Sequence, residues 1–170
     1  MVLTKLFLST AKFIFDKAKK TLREREENLK IHYAPYYLNV EKILSKHLAV
    51  ITWLNEHISS YCSSLNDDDM CQQMIDIKEH NEYVSEAASK SANGMTVRDM
   101  QVEILNLVTS LQGVVYPSLI ESLNQYSEDL READHLGQYD FLTERCQNTL
   151  NLTRDLRAKI PTIHKESAVE

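Results

Sequence analysis

Apolar residues recur along this chain at spacings of three and four, the mark of amphipathic helices. At about 100° per residue, Leu3, Phe7, Ala11, Ile14, Ala18 and Leu22 share one face, while Lys5, Lys12, Lys19 and Arg23 gather opposite. Leu6 and Phe13 widen that apolar arc well past a coiled-coil seam, and the pattern predicts a helix over 2–33. A second helix is expected over 36–63, with Val40, Ile43, His47, Val50, Leu54, His57 and Tyr61 alternating along it. Pro35 lies between the two and reads as an interruption. A third helix, over 69–91, follows the polar turn "SSLNDDD", with Met70, Met74, Ile77 and Asn81 on a weak stripe.

The longest pattern covers 96–136. Thr96 and Asp99 resemble a capping box, and Val97, Met100, Ile104, Leu107, Leu111 and Val115 form one side. Gly113 and Pro117 fall inside it, so a kink or break is expected there. A last helix over 139–160 repeats Leu142, Cys146, Thr149, Thr153, Leu156 and Ile160, and residues 161–170 read as a disordered tail. The period near 3.5 favours long helices crossing at shallow angles. The expected fold is all-α: an elongated antiparallel bundle of four to five long helices, kinked near Gly113–Pro117, in one domain over 1–160.

Composition agrees with that picture. Three Gly and three Pro in 170 residues are too few for a many-turned β fold. The net charge of −6 argues against general nucleic-acid binding. It is unevenly spread: residues 1–30 hold eight Lys/Arg against four Asp/Glu, and the rest hold 11 against 21. The first helix therefore faces something different from the remainder. The three cysteines lack metal-site or disulfide spacing, which suits a reducing, cytoplasmic setting.

The opening stretch "VLTKLFLSTAKFIFDKAKK" fits neither a secretion signal nor a membrane span. Lys12 interrupts its apolar run, no A-x-A site follows, and Lys5, Asp16 and Lys17 add charge. An amphipathic helix remains, with Leu3, Leu6, Phe7, Phe13, Ile14 and Phe15 as candidates for contact with lipid, another copy or the rest of the bundle.

Little catalytic chemistry is suggested. His47 on an apolar stripe reads as a hydrogen-bonded core residue, joined by Asn81, Thr149 and Thr153 in polar layers that fix register. Arg25 and His32 have the R-x4–6-H spacing of HEPN-type RNases, in which Arg holds a phosphate and His does acid–base work. Here the pair ends the first helix rather than lying near the last. Glu132 and His135 form half of a di-iron bundle signature without its second half. No cofactor or metal is expected. Trp53 projects away from the core stripe, and Asp129 with Glu132 belongs to the acidic run "EDLREADH"; these three are candidate partner contacts.

The sequence therefore predicts a non-catalytic interaction module (adaptor, inhibitor or self-assembling subunit) that binds another protein or itself. One alternative is a peripheral membrane protein at the inner face of a membrane, anchored through residues 1–20. The other is an RNase of the HEPN kind using Arg25 and His32.

Overall fold

The computed structural model describes the backbone of residues 2–64 and 94–163 and the side chains of residues 14–57 and 94–162. Five helices are present among them: α1 (Val2–Ser64), α2 (Val97–Leu111), α3 (Pro117–Leu136), α4 (Asp140–Ala158) and the single turn α5 (Ile160–Ile163). The helix expected over 69–91, with Met70, Met74 and Asn81, lies outside the described residues.

The expected interruption at Pro35 does not occur; α1 is one helix of 63 residues with Pro35 inside it. A proline within a helix forfeits one hydrogen bond and crowds the carbonyl four residues back, at a cost of about 3 kcal/mol. Pro35 and Ile31 both face outward, so the carbonyl left without a donor is on the solvent side. On the opposite face Leu29, Tyr33, Tyr37, Val40 and Leu44 continue toward the core without a change of register, and this packing outweighs the local loss.

Side-chain contacts set the direction of each helix. Tyr37, Glu41, Leu44, His47 and Asn55 ascend α1. Their partners on α4 descend: Arg157 meets Glu41, Cys146 Sγ donates to the Leu44 carbonyl at 3.3 Å, and Asn55 donates to Thr143 Oγ1 at 3.2 Å. The partners on α3 ascend with α1, from Tyr116 opposite Tyr37 to Tyr126 opposite His47. Helix α2 opposes α3, since Glu103 stands level with Tyr126 while Leu111 adjoins the start of α3. Among the described residues the result is an up-down-up-down arrangement of four helices, the middle of α1 and all of α2, α3 and α4. Its closest packing is between α1 and α4 and between α2 and α3, with α1 and α2 barely touching.

The core follows the predicted stripes: Val97, Met100, Ile104, Leu107 and Leu111 on α2, and Leu142, Cys146, Thr149, Thr153 and Leu156 on α4, are all buried. Thr96 and Asp99 form the capping box reciprocally, with Asp99 N donating to Thr96 Oγ1 at 3.1 Å and Thr96 N to Asp99 Oδ2 at 2.9 Å. The kink expected within one long helix is a full reversal. Gly113 adopts φ +76°, where a side chain is strained, and Pro117 starts α3 at a position that needs no N–H. The reversal turns Val115 and Leu119 onto the same core as Leu111.

The chain end differs from expectation as well. Pro161 sits inside α5, and Ile160 is buried with α5 against α1. Ordered structure thus passes the predicted boundary of the tail, whose last residues, 164–170, lie outside the described part.

Candidate functional site

A polar layer crosses the bundle at the level of His47, which is completely buried. Helix α1 supplies Lys46 and His47, α2 supplies Glu103, α3 Tyr126 and α4 Cys146. His47 Nε2 is 2.9 Å from Glu103 Oε2, and Lys46 Nζ donates to both Glu103 oxygens at 3.1 Å. On the other edge of the ring, the Tyr126 hydroxyl stands 3.4 Å from His47 Nδ1.

The protonation states follow from this geometry. Burial lowers the His47 pKa below 6.5; the Glu103 hydrogen bond and charge oppose that shift without cancelling it. The neutral ring then donates from Nε2 to Glu103, which leaves Nδ1 as an acceptor facing the Tyr126 hydroxyl. Burial raises the Glu103 pKa, but hydrogen bonds from His47 and Lys46 outweigh it and the net shift is downward. Tyr126 is pushed well up, first by its own burial.

Nucleophile, base and acid types therefore meet here, yet the arrangement is poorly suited to attack on a substrate. Cys146 is fully buried, and burial pushes its thiol up to about 11, leaving no thiolate near neutrality. The layer links four helices at one level, the register-fixing role expected of His47. A second layer does the same between α3 and α4, where Ser122 Oγ and Thr149 Oγ1 are 3.0 Å apart.

The other distinctive feature is the N-terminal half of α1. Its described side chains from Ile14 to Lys20 all face solvent, and Ile14, Phe15, Leu22 and Ile31 are 61%, 67%, 57% and 73% exposed. Among its described side chains, Leu29 and Tyr33 are the first of the stripe to touch the core. The helix thus runs out of the bundle as an arm whose backbone begins at Val2, roughly 45 Å beyond His32 at 1.5 Å per residue. Of the expected contact residues, Ile14 and Phe15 lie on this arm in the open. The side chains of Leu3, Leu6, Phe7 and Phe13 lie outside the described residues.

The remaining candidates are scattered. Trp53 is half-buried, stacked on His57 with ring centroids 4.7 Å apart, at the edge of a shallow α1–α4 groove that Leu48, Gln147 and Arg154 also line. Asp129 does not share an exposed acidic face with Glu132. It is buried, accepts a hydrogen bond from Gln125 at 3.1 Å and pairs with Arg145 of α4 at 3.7 Å, whereas Glu132 is exposed. Arg25 and His32 are both exposed on the arm, and His32 packs edge-on against Tyr33 and Tyr36. Neither lines the groove beside Trp53 or the one between Ile43 and Leu107.

Glu103 is the residue that the sequence reading missed. It flanks the apolar stripe of α2, and only the approach of α1 shows its role. Among the described residues no three metal-ligating side chains converge, and no helix is long and apolar enough to cross a membrane. Comparison with protein-family models, curated proteins and solved structures finds no match to this chain.

Proposed function

We propose that this protein is a non-catalytic docking module, in which the helical bundle is a rigid body and the N-terminal half of α1 is the contact element. The exposure of Ile14, Phe15 and Leu22 on a helix that has left its own core carries this reading. Their burial in the chain's own bundle would have satisfied the amphipathic pattern; instead the apolar face remains available to another surface. The two best-defined polar clusters, around His47 and Thr149, bind helices to one another, which supports a body that holds a shape.

The reading is tested by the full chain carrying Phe15→Asp and Leu22→Asp together. Its urea unfolding midpoint should match that of the parent within error, while any association of the parent is lost. A clear fall in the midpoint would make these residues part of the core and contradict the proposal.

A further inference from the structure

We infer that the surface the arm seeks is an anionic lipid membrane, with the helix lying in the headgroup layer; this rests on the docking reading above. Residues 2–23 carry six Lys or Arg and one acidic residue, Asp16. The chain beyond residue 30 is acidic, with 11 basic and 21 acidic side chains. The arm is therefore drawn to a negative surface that repels the body, which places the contact on the arm alone.

The breadth of the apolar face argues for lipid over a second copy of the chain. At 100° per residue, apolar positions of residues 2–22 sweep a sector of about 240°, broken by Lys17 and three threonines. One neighbouring helix covers a stripe of little more than about 100°, so a paired arm would leave Ile14 or Phe15 in water. A lipid layer covers a wide sector at once, and Lys17 can extend its ammonium to the headgroups. Pairing two arms would also set their positive charges side by side. Residues 24–28, "EREEN", are then a charged spacer between the lipid-seeking part and the first core contact at Leu29.

The test is flotation of the full chain with phosphatidylcholine vesicles, with and without phosphatidylserine. The parent should float with the anionic vesicles and much less with the neutral ones. Phe15→Asp with Leu22→Asp should abolish flotation, and Lys19→Glu with Arg23→Glu should weaken it at least about tenfold, since each cation near an anionic surface contributes about a fivefold factor. Light scattering on the same proteins without lipid separates the possible failures. A parent that forms an oligomer sensitive to Phe15→Asp and Leu22→Asp but does not float overturns the lipid inference and leaves the docking reading standing. Flotation that is equal on neutral vesicles, or unchanged in the variants, overturns the inference as well. A parent that neither floats nor associates, with variants that unfold more readily, overturns both.

Discussion

His47 Nε2 lies 2.9 Å from Glu103 Oε2, across the side of the bundle where α1 and α2 otherwise barely meet. Between helices so sparsely packed, a buried donor and its carboxylate acceptor carry an unusual share of the attachment. Removing the acceptor leaves His47 Nε2 buried with nothing to receive its proton. Glu103→Ala should therefore cost about 1–3 kcal/mol, seen as a lower urea midpoint with an unchanged slope. An unaltered midpoint would show that the pair is incidental.

The same contact predicts how stability depends on pH. Burial holds the folded His47 pKa below the 6.5 of a free side chain, so the unfolded chain binds this proton more readily. The stabilisation is complete above about 6.5 and is lost as pH falls through the lower folded value. Glu103, whose net pKa is held below 4.5, adds a second loss at more acidic pH, as pH falls through its own folded value. Thermal midpoints across this range should decline in two stages, and His47→Gln should remove the first. A first stage that persists in that variant would assign it to another group.

Pro35 offers a substitution that should stabilise. Alanine there restores the N–H that the Ile31 carbonyl lacks, for a gain of up to about 3 kcal/mol, reduced by the greater freedom of the unfolded chain. Circular dichroism should show a higher melting temperature for Pro35→Ala and no loss of helicity. A lower melting temperature would mean that α1 uses the proline to turn.

Cys146 should be inert while the bundle is folded, because its thiol is fully buried and pushed up to about 11. In a chain carrying Cys62→Ser and Cys71→Ser, a thiol reagent should label it only at the rate of unfolding. Rapid labelling of the native protein would contradict the burial and expose a reactive site.

Much of the fold was legible because periodicity reports burial directly. The stripes of α2 and α4 and the Thr96–Asp99 box are local statements in which spacing and cap chemistry agree; at Gly113 and Pro117 the same local cues read only as a kink, and the full reversal shows in the core that Leu111, Val115 and Leu119 share. Pro35 was misread because a local penalty was weighed without the packing of Tyr37 and Val40 that offsets it. Asp129 and Glu103 were hidden for a related reason. A carboxylate beside an apolar stripe reads as solvated until Arg145 or His47 arrives from a helix distant in sequence. The arm was half legible: amphipathicity showed that the first helix has an apolar face, and the same face serves equally under cover or in the open. Only the end of the bundle near Tyr37 distinguishes them.

Helix α1 leaves the core near Leu29, and the proposed function gives what precedes it to a contact and not to the bundle. The most direct measurement is thermal unfolding, with light scattering, of the full chain and of a chain lacking residues 1–23. The shortened chain should be a monomer that melts cooperatively within a few degrees of the full chain. A shortened chain that is unfolded, or that melts far lower, would contradict this assignment and return the opening helix to the core.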